Sequence, residues 1–278
     1  MKEPKRVFRI TSRHNPRLKY LKQFHQRKHR EREGRFLVEG VRVVEEALAA
    51  DFEVEVIVFT AEALRDPRTA ALVTAASGRG IAVWEVEPAL LQELTATETP
   101  QGVVALVYKA GTTVDEVLAT RTGVPLVLVV DGIQDPGNLG TIIRTADACA
   151  VTGVALLRDS VDLYHPRVVR ATAGSVFHLP IAEQVDPAEL VSGLKRRGFQ
   201  VLAGDPNGDR SLYDCDFAGP TAVAVGHETR GVGPELRDAV DNLVFIPMPG
   251  RAESLNVGVA TALLVYEAVR QRAKSSLC

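Results

Sequence analysis

One segment constrains the fold more than any other. An unbroken apolar run, residues 125–130, feeds directly into Asp131-Gly-Ile-Gln-Asp-Pro-Gly-Asn-Leu-Gly-Thr-Ile-Ile-Arg-Thr-Ala-Asp147. An apolar stretch of that length, bounded by turn residues, reads as a strand buried on both faces of a parallel sheet. Pro136-Gly137 then breaks the chain, and Asn138 stands where a helix N-cap belongs. Leu139, Ile142, Ile143 and Ala146 follow at helical spacing. Strand, Gly-rich turn and helix N-terminus together form a cradle with free backbone N–H groups. Arg144, with its permanent charge, lies on the first turns of that helix, beside whatever occupies the cradle.

Two further junctions repeat the design. Residues 221–225 run into Gly226-His-Glu-Thr-Arg-Gly-Val-Gly233, and residues 243–246 run into Pro247-Met-Pro-Gly-Arg-Ala-Glu-Ser-Leu-Asn256, which opens a long helix. Three such junctions fit one crevice at the carboxyl ends of a parallel sheet. They are not standard nucleotide motifs. Asn138-Leu139 stands where a P-loop needs Lys-Ser/Thr, and no Gly-x-Gly-x-x-Gly follows a predicted strand.

Taken together and in order, these segments resemble the motifs of the SpoU (TrmH-like) branch of the SPOUT RNA methyltransferases. The motifs are Asn138-x-Gly140-x-x-x-Arg144, Gly226-x-Glu228-x-x-Gly231 and the closing segment from Ile246 to Asn256. The resemblance spans residues 126–272. The first half is similar to the family's accessory RNA-binding domain, through Phe36-Leu-Val-Glu-Gly40 and Thr99-Pro-Gln-Gly102.

The resemblance implies an α/β fold whose C-terminal parallel-sheet SPOUT domain carries a deep trefoil knot. It also implies bound S-adenosylmethionine and a homodimer formed through that domain. Gly226, Ile246 and Leu255 match positions that hold the adenosyl moiety through backbone groups, with Met248 packed beside it. Arg144 matches the arginine that helps deprotonate the ribose 2′-hydroxyl. A guanidinium with a pKa above ~12 is a poor base, so electrostatic activation describes its role better. Asn138 reads as a helix cap, a contact to RNA phosphate, or both. From its Gly-rich turn Glu228 reads as an exposed loop acid, whereas the resemblance makes it a buried organiser that accepts from loop N–H groups or from Arg144. Ser254 and Asn256 read as cap and first-turn residues of the last helix, and the resemblance adds contacts to cofactor and substrate. Arg170 matches a segment near where the RNA comes in. His227 and Thr229 depart from the residues the family often carries, which bears on loop detail rather than on the cofactor.

Charge distribution points to the same partner. The net charge is −2, yet residues 1–35 hold 13 Lys or Arg against 3 Glu, a surplus of 10 that leaves −12 for the rest. Such asymmetry suits nucleic acid, and Arg13, Arg17 and Lys28 are the candidate phosphate contacts in this segment. The histidines show no metal-ligand spacing, so no metal site is expected. Cys149, Cys215 and Cys278 form no paired pattern, which fits a reducing cytosol. No secretory leader or membrane span is expected.

Periodicity predicts a basic helical arm over 1–33, with one helix across 16–32, then an α/β/α domain over 34–110, which the resemblance makes the accessory RNA substrate-binding domain. Residues 111–124 read as a linker that keeps some helix near 114–118, and 125–278 as the methyltransferase domain. The strands of that domain are expected at 125–130, 153–157, 177–181, 199–203, 221–225 and 243–246. Its last helix is expected from 254 to about 274, apolar nearly all round, so it must be covered on several sides. The resulting expectation is a cytoplasmic S-adenosylmethionine-dependent RNA 2′-O-methyltransferase acting on ribosomal RNA. Transfer RNA is the alternative substrate, and a non-catalytic RNA-binding or ribosome assembly factor of the same fold is the alternative class.

Overall fold

The computed structural model describes residues 7–119 and 123–275, with side chains to 273. Cys278 lies outside the described residues. The chain folds as two compact units, 1–110 with 164–177, and 111–163 with 178–278.

The first unit is built on β1 (Phe8–Ile10), α1 (Pro16–Lys22), α2 (Arg27–Glu33), β2 (Arg35–Glu39), α3 (Val41–Ala49), β3 (Val54–Thr60), α4 (Pro67–Gly78), β4 (Ala82–Val86), α5 (Pro88–Gln92) and β5 (Val103–Tyr108). Its five-stranded sheet has the order β1-β4-β3-β5-β2. β4 pairs in parallel with β1 and β3, while β5 pairs antiparallel with β3 and β2. Helices α3 and α4 pack against the sheet. Leu18 and Leu21 of α1, Phe24, and Leu90 and Leu91 of α5 join Ile10, Val56, Val58 and Leu106 in one core.

Residues 7–33 of the segment expected as a basic arm are therefore built into this unit, because their thin apolar stripe is enough to bury one side, and residues 1–6 lie outside the described residues. It is not one helix either. A 3₁₀ turn at Gln23–His25 and extended backbone at Gln26 split it. Arg30 lies fully buried behind the break and donates from Nη1 to the carbonyls of Phe24 (2.7 Å) and His25 (2.9 Å), orphan acceptors that the break leaves. β1 was not foreseen, being three residues long and unpatterned.

The second unit continues with α6 (Val114–Val117), β6 (Leu126–Val130), α7 (Pro136–Ala148) and β7 (Gly153–Leu157). After α8 (Pro166–Ala171), which belongs to the first unit, come β8 (Ile181–Val185), α9 (Pro187–Arg196), β9 (Gln200–Gly204), β10 (Arg210–Ser211), β11 (Thr221–Val225), α10 (Pro234–Arg237), β12 (Asn242–Phe245) and α11 (Val257–Ser275). The sheet order is β10-β12-β9-β11-β6-β7-β8, and every pairing is parallel. β6, β7 and β11 are buried at every residue, as their unbroken apolar runs require.

Three expectations for this unit are corrected. Residues 114–118 are no linker: Val117 and Leu118 are core, and a Cβ on Gly153 would lie 2.6 Å from the Val117 carbonyl oxygen. The strand expected at 177–181 begins only at Ile181. The domain expected as continuous from 125 is interrupted, because residues 164–177 fold with the first unit. There the rings of Tyr164 and Phe36 lie 4.3 Å apart and those of Phe177 and Phe52 4.9 Å apart. These aromatic contacts draw Phe177 out of the strand it resembled in sequence. Among the described residues, no helix is long and apolar enough to cross a membrane.

Candidate functional site

The loops after β6, β11 and β12 carry the site residues singled out from sequence, and β9 ends beside them. β6 is followed by Asp131, whose N–H donates to Val225 O (2.9 Å) and whose Oδ2 accepts from Gly233 N (2.6 Å). The strand ends of β6 and β11 are thereby tied together. Helix α7 does not start as expected. Asp135 is its N-cap, accepting from Asn138 N at 2.7 Å, and Pro136 occupies the first helical position. Pro fits there because its fixed φ is helical and its missing N–H is not needed. Pro136-Gly137 therefore begins the helix, and Asn138 is left with a side chain free for other work.

That side chain joins three loops. Asn256 caps α11, its Oδ1 accepting from Gly258 N (2.9 Å) and Val259 N (3.3 Å). With Oδ1 committed, Asn256 Nδ2 donates to Asn138 Oδ1 at 2.9 Å, and Asn138 Nδ2 donates to Glu228 Oε1 at 2.9 Å. Each amide has one orientation that satisfies its neighbours, so the relay runs in one direction and ends on a carboxylate. Ser254, expected near the cap, stays in the preceding loop, and α11 begins at Val257. Glu228 is not the buried organiser that was expected. The loop after β11 closes on itself through reciprocal bonds between His227 and Gly231, both 2.9 Å, which leaves Glu228 partly exposed at the tip. It accepts from Asn138, and no bond joins it to Arg144.

Beneath the relay lies a cavity of about 690 Å³. Gly226, Ile246, Met248 and Leu255 line it, as do Glu228 and Ser254. Gly226 is required by space: a Cβ there would lie 2.1 Å from the Gly231 carbonyl carbon and 2.2 Å from Val232 N. Arg144 is not among the lining residues. It is exposed on α7 and makes no hydrogen bond or ion pair among the described residues. Sequence reading missed Asp205 and Arg237, which pair at 2.6 Å on the cavity wall. The turn-rich Gly204-Asp-Pro-Asn-Gly208, following another apolar run, was the available signal.

The basic candidates all lie in the first unit. Arg13 pairs with Glu93 at 3.3 Å, and Arg17 lies over the rings of Phe8 and Trp84. Lys28 is exposed on α2 and Arg170 on α8.

A parallel sheet with a cavity of this size at the carboxyl ends of its strands is the arrangement of the α/β ligand-binding proteins. Comparison narrows this: the chain belongs to the SpoU rRNA methylase family, which it matches over residues 125–266. Residues 15–105 match the MRM3-like substrate binding domain. Among relatives, the chain is 35% identical to the 23S rRNA (guanosine(2553)-2′-O)-methyltransferase RlmP of Bacillus subtilis, over 92% of this chain and 97% of the relative. It is 34% identical to the 23S rRNA (uridine(2479)-2′-O)-methyltransferase of Streptomyces viridochromogenes, over 95% and 92%. Among solved structures, the AdoMet-bound rRNA methyltransferase from Sinorhizobium meliloti superposes with a TM-score of 0.84 at 32% identity, covering 95% of this chain and 98% of that one.

Proposed function

We propose that this chain methylates a ribose 2′-hydroxyl of ribosomal RNA, using S-adenosylmethionine. The observation that carries the reading is the cavity walled by Gly226, Ile246, Met248 and Leu255 under the Asn256–Asn138–Glu228 relay. Its volume falls within the roughly 300–1,000 Å³ of small-molecule sites, and the missing Cβ of Gly226 lets the loop after β11 fold back tightly at its wall. The cofactor supplies a methyl group already activated on a sulfonium.

The chain's own part is binding, orientation and charge. Gly226, Ile246 and Leu255 hold the adenosyl moiety through backbone groups, and Met248 packs beside it. The relay fixes Asn138, Asn256 and Glu228 at the mouth, with Ser254 on the adjoining loop, where RNA sugar and phosphate would sit. Arg144, exposed and without an acid partner, is available to draw charge from the attacking 2′-oxygen. Positioning can contribute several kcal/mol of barrier reduction.

The finer structural readings rest on the same residues. A deep trefoil knot is supported by membership of the SpoU rRNA methylase family and by one close approach of distant segments, where a Cβ on Gly208 would lie 2.5 Å from the Leu243 carbonyl oxygen. A homodimer is supported by α11, where Val259 (49%), Leu263 (43%) and Tyr266 (63%) leave an exposed apolar stripe at helical spacing. Through such an interface Arg144 would serve the partner's cavity. The first unit is the RNA-binding one, with Arg13, Arg17, Lys28 and Arg170 as phosphate contacts. A cytoplasmic location follows from a ribosomal substrate.

The test is to map 2′-O-methyl groups in ribosomal and transfer RNA from cells with and without the gene. Loss of one ribosomal site is the expected result. Loss confined to transfer RNA moves the substrate, and no loss together with no transfer in vitro makes the chain a non-catalytic RNA-binding protein.

A further inference from the structure

β1 is an edge strand, and in its register with β4 Phe8 stands directly beside Trp84. Register partners on adjacent parallel strands put their side chains on the same sheet face, so the two rings form one surface. Two residues on, the same face closes: Ile10 and Val86 are buried under α1 and α5. At the Phe8–Trp84 end Phe8 is 41% exposed, while Trp84 is half-buried and packs against the same core.

The guanidinium of Arg17, from the first turn of α1, lies over both rings, 3.9 Å from the Phe8 centroid and 5.2 Å from that of Trp84. Three of the neighbouring cations have an acid partner. Arg9 pairs with Glu85, and Arg13 and Lys22 pair with Glu93. Among the described residues Arg17 has none. Only the ring faces hold it, and an exposed cation–π contact is worth about 0.5–1 kcal/mol.

We propose that Phe8 and Trp84 form a stacking platform for an unpaired RNA base, with Arg17 as its movable cover. The proposal rests on the RNA-modifying reading above and locates one contact of the first unit with RNA. The base takes the place of the guanidinium over the rings, and Arg17 turns to the adjoining phosphate. Every base has a π face that aromatic side chains can accept, so the platform favours unpaired bases without reading their identity. Phe8 lies before the matched substrate-binding domain, which begins at residue 15, so this chain adds half of the platform from outside that domain.

Trp84 is the sole tryptophan of the chain, so its fluorescence reports on the platform directly. Full-length protein is titrated with oligoadenylate RNA of about ten nucleotides and with an abasic oligomer of equal length, and binding is followed in parallel by anisotropy. Saturable quenching by the oligoadenylate but not by the abasic oligomer is expected. Phe8→Ala should weaken oligoadenylate binding roughly five- to a hundredfold, and Phe8→Tyr should restore it. Arg17→Gln should flatten the log–log salt dependence by about 0.7 to 0.9, the loss of one phosphate contact. Binding without quenching, equal quenching by the abasic strand, or no binding of either oligomer overturns the platform. S-adenosylmethionine calorimetry on the same preparation reports separately on the methyltransferase reading.

Discussion

Gly226→Ala is the sharpest probe of the cavity, because the added methyl meets only backbone. Its nearest neighbours would be the Gly231 carbonyl carbon at 2.1 Å, the Gly231 oxygen at 2.2 Å and Val232 N at 2.2 Å. Ordinary contact begins near 3.4 Å, so the loop must open by more than an ångström. No rotamer can relieve this. The loop is pinned at Asp131 through Gly233 N and closed on itself at His227 and Gly231, so the displacement carries into the cavity wall. Overpacking of this kind costs about 1–3 kcal/mol of stability. A misplacement near 1 Å costs on the order of a hundredfold in a positioned site. Calorimetry with S-adenosylmethionine should therefore show affinity reduced about a hundredfold or more in a variant that still melts cooperatively. Two glycines calibrate the result. Gly231→Ala meets no neighbour but sits at φ +67°, and should cost about 1–2 kcal/mol of stability through strain alone. Gly250→Ala meets nothing, has no left-handed φ and should be silent. Undiminished affinity in Gly226→Ala would refute the assignment of this cavity to the cofactor.

Three further outcomes are expected. Arg144→Ala should lower methyl transfer about a hundredfold with S-adenosylmethionine affinity unchanged; near-normal turnover returns Arg144 to a solvated helix face. Leu263→Glu, in the exposed stripe of α11, should give a monomer by light scattering, and an intact dimer would show that the face is not the interface. His29 is buried with Arg32 Nη2 2.9 Å from its Nδ1, and burial first, then the Arg32 charge, holds its pKa below the ordinary value. The unfolded chain therefore takes up this proton at higher pH than the folded one, so stability is full above the unfolded pKa of about 6.5 and is lost as pH falls from there towards the folded value. Melting temperatures from pH 7.5 to 5 should show the loss, and His29→Gln should reduce its slope.

The parallel strands of the second unit were legible because burial on both faces leaves a direct trace: four or five consecutive apolar residues ended by a glycine or a charged residue. β6, β7 and β11 were read almost to the residue for that reason. The site was legible at the level of which loops converge, since each follows such a strand. Hydrogen bonding within the site was not. Asn138 and Asp135 are both good caps, and only the fixed φ of Pro136 at the first helical position decides between them. Had Asn138 capped α7, its side chain would have been spent on its own helix and the three loops would lack their tie.

The hardest feature to read was the departure of residues 164–177. Tyr164 and Phe177 look like ordinary apolar residues flanking a helix and a strand, and nothing local says that their partners are Phe36 and Phe52, more than a hundred positions earlier. Pairings of that separation leave no period in the sequence. Gly174 shows how specific they are, for at φ +106° its missing Cβ leaves room for Glu46, whose Cγ would otherwise lie 2.7 Å away. The chain consequently passes between its units at 110–111, 163–164 and 177–178. Pulling this segment away from the rest of its own unit exposes Tyr164 and Phe177 together with the rings they cover. Burial of one such aromatic side chain is worth about 1.5–3 kcal/mol. Arg170, carried on α8 within this segment, therefore keeps its place relative to β2 and α3 of the first unit, although by sequence it lies between two strands of the methylase sheet.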